Sequence, residues 1–509
     1  MMNDYSLLQA SELFDASWYL TEYEDVALAG LDAVHHYLHF GAGEGRRPGP
    51  LFDADYYCSQ LSTPLGSHEL PLLHYLRTGK AQGLKPTRQP RTVPQWYYRR
   101  SAIQADGIRI LYVLSVGSGG TPQTNQDLMH QLDSQQLASC LVLQCKGKVL
   151  QLSLFTDGCY LPLERTVLAS PVRALPHTSE EYNATVAVWL KQYAISLVHI
   201  RHIAWHGLGL IHLARQQHIP VVFSCHDYYT VCPSVKLLDE NLRYCAGKCT
   251  SSKGECSNEL WPADQLTPLK HNAVHRWQQQ FAKALSQCQL LITTSPYTKE
   301  VITGCYPQLS DIPFEVIEHG RDFDECSSLA SAPVANEPLR ILVPGFIARA
   351  KGANVLRELA ATLPATEVQW HLLGDICAGP DLPGTVIEHG PYHRNGLAER
   401  VRAIRPHAGA VFSVWPETWC HTLTEMWAAG LPVLGFDIGA VGDRLRQNNA
   451  GWLVNELTAS AVADKLPAIR QEWSHKHSSV LKWQQQQARQ QSCAAMANHY
   501  WKQYCKLLM

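Results

Sequence analysis

From Ile108 onward, short apolar runs alternate with stretches of helical periodicity. Ile108–Val116 reads IRILYVLSV, and the runs Ser139–Leu143, Ser196–Ile200, Pro220–Cys225, Gln289–Thr293 and Phe314–Ile317 follow it. A run apolar on consecutive positions has two faces to bury, as a central strand of a parallel sheet does. Helical stretches between the runs, Gln123–Leu137 among them, supply the crossovers that parallel strands need. The pattern pauses over the Ser, Ala, Pro and Asn of 323–338 and then restarts. Strands are expected at Leu339–Val343, Trp370–Leu373, Thr385–Glu388, Ala410–Val414 and Pro432–Phe436. Helices are expected at Lys351–Ala361, Asn395–Ile404 and Thr422–Ala429. The expected fold is α/β, with one Rossmann-like domain over 108–320, a linker at 321–338 and a second such domain over 339–475. The tail, 476–509, reads as one helix. Two such domains in tandem imply a cleft, and open parallel sheets bind ligands at the carboxyl ends of their strands. A nucleotide or sugar phosphate is the expected occupant.

A repeat precedes these domains. Phe14-Asp15 recurs as Phe52-Asp53, and His36-Tyr37-Leu38 as His74-Tyr75-Leu76. Gly41 recurs as Gly79, Gly45 as Gly83 and Pro48 as Pro86, each pair 38 residues apart. Five spacings held in register predict two copies of one small helical unit within 1–90. The aromatics read as packing between copies, and the glycines as helix C-caps needing positive φ. Three prolines and five basic residues over 85–100 mark a linker, placed at 91–107.

Composition narrows the function. The chain has 509 residues, 46% of them hydrophobic and 17% charged, which excludes wholesale disorder. The formal charge of −2 leaves no global field for gripping nucleic acid. No apolar run reaches the ~18 residues of a membrane span. Met1–Ser17 carries three acidic residues and no basic one, so it does not read as a secretory signal. Sixteen cysteines without such a signal point to a reducing, cytoplasmic setting, compatible with peripheral attachment at the inner face of a membrane.

The segment PETWCHTLTEMWAAGLPVLGFDIGA holds Glu417 and Glu425. Thr422 and Leu423 read as a helix N-terminus whose backbone N–H groups suit phosphate. On spacing alone, two glutamates eight apart are equally routine surface charge. The whole segment, however, resembles the donor-site signature of retaining GT-B glycosyltransferases of family four, and the resemblance runs from about Ile108 to Leu453. It implies that Glu417 contacts the donor sugar and Glu425 the ribose. It also implies a phosphate loop at Gly345–Gly352, where Lys351 matches the family's Lys-Gly. The family's early Arg is replaced by Phe346, and Arg349 stands nearby as a candidate second cation. Gly119 and Gly120 resemble the first-domain glycine loop that lets the backbone approach the donor or acceptor. His226 matches a histidine that faces the donor sugar, with Asp227 beside it; a histidine satisfied by local backbone is the plainer alternative. His199 and His202 follow another strand and, with Asp227, stand as acceptor-side candidates; for the two histidines a core role is the alternative.

Cys232, Cys245, Cys249 and Cys256 fall within 25 residues, with gaps of twelve, three and six. Four thiolates can satisfy tetrahedral zinc. The spacing is not the paired C-x2-C form, so free or redox-paired thiols stand as the alternative. Zinc here would be structural.

The resemblance implies a metal-independent glycosyltransferase that moves a sugar from a nucleoside-diphosphate sugar with retention. No covalent nucleophile and no convincing Asp-x-Asp metal motif stand out, and no catalytic cofactor is expected. A Phe-Asp…His-Tyr-Leu…Gly repeat ahead of such domains resembles modules of bacterial surface-polysaccharide enzymes. That implies a glycan or lipid-linked acceptor, with the repeat docking protein or membrane partners. The competing readings are a non-catalytic GT-B scaffold and a GT-B enzyme of another type. An epimerase would turn over donor without acceptor, and a phosphorylase would need pyridoxal phosphate.

Overall fold

The computed structural model describes residues 4–508, apart from 12, 24, 27–30, 62, 64, 67–68, 88–106, 116–119, 250–255, 257–259, 262–264, 266–271, 378, 381 and 394–395. The chain divides into two compact units, residues 1–95 with 390–397, and residues 96–389 with 398–509.

In the first unit, positions 38 apart do the same work. Asp15 and Asp53 cap the helices Ala16–Glu22 and Ala54–Ser59, accepting from Trp18 N and Tyr56 N. The Tyr19 hydroxyl meets His36 Nδ1 at 3.0 Å, and Tyr57 meets His74 Nδ1 in the same way. Asp15 N donates to Pro48 O at 3.0 Å, and Asp53 N to Pro86 O at 2.9 Å. Phe14, Tyr37, Phe52, Tyr57 and Tyr75 share one buried core. The glycines divide into two roles, which corrects the sequence reading. Gly45 and Gly83 have φ of +73° and +77°, as C-caps require. Gly41 and Gly79 instead lie inside π-helical turns, where a Cβ would collide with the hydroxyls of Tyr19 and Tyr57.

The second unit holds two sheets. The first contains β1 (Arg109–Leu114), β2 (Ser139–Lys146), β3 (Val149–Thr156), β4 (Cys159–Val167), β5 (Leu197–Ile200), β6 (Val221–Cys225), β7 (Leu290–Thr293) and β8 (Phe314–Val316). Their order is β4-β3-β2-β1-β5-β6-β7-β8. The strands from β2 through β1 to β8 are parallel, while β3 and β4 pair antiparallel at one edge. The second sheet contains β9 (Leu339–Pro344), β10 (Val368–Leu373), β11 (Val386–Glu388), β12 (Ala408–Val411), β13 (Val433–Phe436) and β14 (Gly451–Val454). It is wholly parallel, in the order β11-β10-β9-β12-β13-β14.

The expected single tail helix is two helices. Ala459–Gln490 packs Val462, Leu466 and Ile469 into the core of the second sheet. Cys493–Leu508 crosses back, and its Met496, Tyr500 and Tyr504 join Ile110, Tyr112 and Leu128 on the first sheet. The break lies where the segment leaving β8 passes. Arg321 N donates to Gln491 O at 2.8 Å, Cys493 N donates to Asp322 Oδ1 at 3.1 Å, and a Cβ at Gly320 would strike the Ser492 carbonyl.

Candidate active site

Nearly every candidate follows the carboxyl end of a parallel strand, where loops from the two sheets meet. Gly345 follows β9 and turns at φ +102°, which a residue with a side chain rarely adopts. The turn continues through Arg349–Lys351 to the helix Ala353–Thr362. Arg349 is exposed, whereas Lys351 is partly buried. The charge of Glu417, and less strongly that of Glu425, raises the Lys351 pKa.

Glu417 is 7% exposed and accepts from the Ser413 hydroxyl. Its carbonyl accepts from Ala440 N at 2.7 Å. This contact brings the turn after β13 against Pro416. Gly439 has φ +61°, and a Cβ there would lie 2.6 Å from the Pro416 backbone. The helix His421–Ala428 carries the rest of the motif. Thr422 is partly exposed at its first turn, and Leu423 is fully buried, so only the backbone N–H of Leu423 could serve a ligand. Glu425 is 7% exposed and paired with Arg321.

Arg444 braces this loop from behind. Its guanidinium donates to Trp419 O at 3.1 Å, Cys420 O at 3.0 Å and Thr424 Oγ1 at 2.8 Å, and lies 3.9 Å from the Trp419 ring centre. Burial lowers its pKa to about 10, still far above neutrality.

The first domain faces these groups. Gly120 opens the helix Gly120–Ser134, and a Cβ on it would come within 3.0 Å of the His421 ring, so glycine lets that histidine approach. Gly119 lies outside the described residues. His226 follows β6 and is 8% exposed, and neither of its ring nitrogens has a hydrogen-bond partner. It stacks on His319 at 5.2 Å, and His319 stacks on His421 at 5.4 Å. Burial, followed by the charge of Arg201, holds the His226 pKa well below the usual histidine value. His226 is therefore neutral at pH 7, able to accept one hydrogen bond and donate another. His202 Nε2 meets Asp227 Oδ2 at 3.0 Å, and Asp227 is a quarter exposed.

His199 does not belong to this cleft. It is fully buried, with Nδ1 2.6 Å from the Tyr504 hydroxyl and Nε2 2.7 Å from Ser224 Oγ. Its place on the central strand β5 turns it toward the C-terminal helix, so the acceptor-side expectation is corrected to a core role. His319, His421, Arg321, Arg444 and Ser413 were not anticipated. Position after a strand end could have pointed to His319, but nothing in the sequence singled out the other four. The four cysteines lie beyond His226, in the segment that follows β6. Among the described residues, no helix is long and apolar enough to cross a membrane.

Residues 152–325 match the sequence profile of Glycosyltransferase Family 4. That segment lies in the first sheet and its exit, away from the glutamate motif. No curated protein matches the sequence. Among solved structures, sucrose-phosphate synthase from Thermosynechococcus elongatus is similar with a TM-score of 0.53 and 15% identity, covering 79% of this chain and 99% of that one. The fold is GT-B. A glycosyltransferase from Rickettsia africae is similar at a TM-score of 0.53 and 16% identity, covering 79% of this chain and 99% of its own. The Anabaena protein HepE, in complex with UDP, is similar at 0.50 and 12%, covering 78% and 100%. The chain thus has a GT-B fold, with the segment 152–325 similar to a glycosyltransferase family profile.

Proposed function

We propose that the chain transfers a sugar, with retention, from a nucleoside-diphosphate sugar to a glycan or lipid-linked acceptor. The observation that carries the reading is the convergence of Lys351, Glu417 and Glu425, close enough that both carboxylates raise the pKa of the lysine. HepE, of similar fold, is seen with UDP and with UDP-glucose, which supports a nucleotide-sugar donor here.

In this reading the diphosphate lies between Lys351 and the first turn of His421–Ala428. The ammonium and the backbone N–H groups of Thr422 and Leu423 meet the charge that develops as the anomeric bond breaks. Arg349 is near enough in sequence to add a second cation from its exposed position. Glu417 accepts hydrogen bonds from donor sugar hydroxyls, and Glu425 from the ribose. His226, kept neutral, contacts the sugar at the reacting face and does not attack it. The acceptor hydroxyl enters from the side of the departing phosphate, past Gly120, His202 and Asp227. The leaving diphosphate accepts the acceptor's proton, so the step needs no catalytic cofactor. The aromatic repeat of the first unit docks the acceptor's carrier or a partner protein in surface-polysaccharide synthesis.

The test is product analysis. The full chain is incubated with a panel of nucleoside-diphosphate sugars and glycan acceptors, and the anomeric configuration of the product is read by NMR. The reading predicts acceptor-dependent release of nucleoside diphosphate and an anomer matching the donor's. An inverted product would overturn retention, and acceptor-independent interconversion of donors would favour an epimerase.

A further inference from the structure

The segment after β6 is a built loop. Tyr228 N donates to Val235 O at 3.2 Å, and Cys232 N donates to Tyr228 O at 2.9 Å, closing a turn directly beyond His226-Asp227. Leu238 then bridges Tyr244 in antiparallel fashion, and Cys245 N donates to Leu237 O at 2.9 Å. At the tip of this small hairpin, Asp239 Oδ1 accepts from Asn241 N and Arg243 N, both at 2.8 Å. Gly247 turns at φ +73°, where a Cβ would lie 3.0 Å from Cys305 Sγ. Gln278 clamps the loop from the helix Asn272–Leu285, donating to Val231 O at 3.2 Å and Gly247 O at 3.1 Å.

The fold brings the four cysteines to one place. Cys232, Cys245, Cys249 and Cys256 line a single cavity of about 20 Å³, together with Ser234 and Gly247. That is room for one water-sized body. None of the four is in a disulfide. The sulfurs of Cys232 and Cys245 also receive donors. Ser234 Oγ lies 3.2 Å from Cys232 Sγ, and the backbone N–H groups of Ser234 and Gly247 donate to Cys232 and Cys245.

We propose that Cys232, Cys245, Cys249 and Cys256 bind one structural zinc ion at this cavity, pinning the loop that carries His226 and Asp227. Among the described residues, no three His, Cys, Asp or Glu side chains already stand arranged around a metal. Binding therefore draws the four sulfurs that line the cavity closer together around the ion. Zn²⁺ displaces four thiol protons to solvent and forms four Zn–S bonds, leaving a centre of charge −2. The N–H and O–H donors to sulfur offset part of that charge.

The experiment is elemental analysis of the full-length protein, purified without chelators or immobilised metal. About one zinc per chain is expected. Cys249→Ser and Cys256→Ser should each lose most of it, while Cys305→Ser, outside the set, should keep it. Should the serine variants fail to fold, cobalt substitution of the parent chain decides. Intense thiolate-to-cobalt charge transfer with tetrahedral d–d bands supports the four-sulfur site. Parent protein that holds no zinc and takes none up from a stoichiometric titration overturns the proposal. So does zinc retained in both Cys249→Ser and Cys256→Ser, or iron in its place.

Discussion

Arg321 and Glu425 form an ion pair at the domain junction, with side chains 4% and 8% exposed. Arg321 comes from the segment leaving β8, and Glu425 from the helix His421–Ala428. The pair ties the exit of the first sheet to the helix proposed to hold the donor. It also means that Glu425 has a protein partner before any ribose arrives. Glu425→Ala would leave the guanidinium buried without its counter-charge, at a cost of about 3–5 kcal/mol. A loss of nucleotide binding in that variant would then mix folding with recognition. Glu425→Gln keeps the shape and one acceptor oxygen. We expect Glu425→Ala to melt well below the parent, and Glu425→Gln to melt nearer to it. Differential scanning calorimetry of the two variants checks this.

Gly439 tests the turn that presents Glu417. Alanine there meets both a left-handed φ and the Pro416 backbone, so the turn must move and Glu417 with it. A shift on the order of 1 Å at a positioning group costs about a hundredfold in rate. Gly439→Ala should lower turnover of sugar nucleotide by roughly that factor while the chain stays folded, as steady-state kinetics and circular dichroism would show. Unchanged kinetics would mean that the turn does not set Glu417.

The repeat makes its own prediction. A methyl at Gly41 or Gly79 collides with the hydroxyl of Tyr19 or Tyr57, whereas at Gly45 or Gly83 there is open space and only the positive φ resists. Gly41→Ala and Gly79→Ala should therefore destabilise the first unit more than Gly45→Ala, which should cost about 1 kcal/mol. Limited proteolysis within residues 1–95 reports the order, and equal sensitivity in all three variants would contradict it.

Buried neutral histidines set the acid limit of stability. Burial lowers the pKa of His206 to about 4 and of His177 to about 3. Unfolding returns them to about 6.5, so below that pH the unfolded chain binds protons that the folded chain does not. Their contribution is intact above about pH 6.5 and is lost as pH falls toward 4, at about 1.4 kcal/mol per pH unit for each histidine. His206 accepts from the Tyr182 hydroxyl at Nδ1 and donates from Nε2 to Leu114 O, so its neutral form is fixed by geometry. Melting temperature should fall from pH 7 to pH 5, less steeply in His206→Gln. An identical slope would remove His206 from the account.

The sequence was most legible where burial is two-sided. Eleven of the strands coincide with continuous apolar runs read from Ile108 to Phe436. The hairpin β3–β4 escaped because it lies at an edge of the sheet and its outer strand, Cys159–Val167, is mostly exposed or half-buried. Its Asp157-Gly158 turn, with φ of +49° and +73°, was the available signal. β14 escaped because four residues beginning with glycine make too short a run. In the cleft, Glu417, Lys351 and His226 were singled out by the resemblance of their segments to a donor-site signature, and position after a strand agreed for Lys351 and His226. The same rule failed for His199, because a residue within a central strand points into a core. Arg444 and Arg321 were illegible for a different reason. Arg444 bonds to groups 20 to 25 residues earlier and Arg321 to a carboxylate 104 residues away, and no local pattern encodes such contacts.

Titration calorimetry of Lys351→Ala and Glu417→Gln, with nucleoside diphosphate and with intact sugar nucleotide, tests the central claim most directly. A charge-assisted hydrogen bond contributes about 1.5–3 kcal/mol. Lys351→Ala should therefore weaken both ligands about ten- to hundredfold. Glu417→Gln should leave the diphosphate affinity near that of the parent and weaken the sugar nucleotide, because its partner is the sugar. Parent-like binding of both ligands to Lys351→Ala would contradict a donor site in this cleft, and the glycosyl-transfer reading with it.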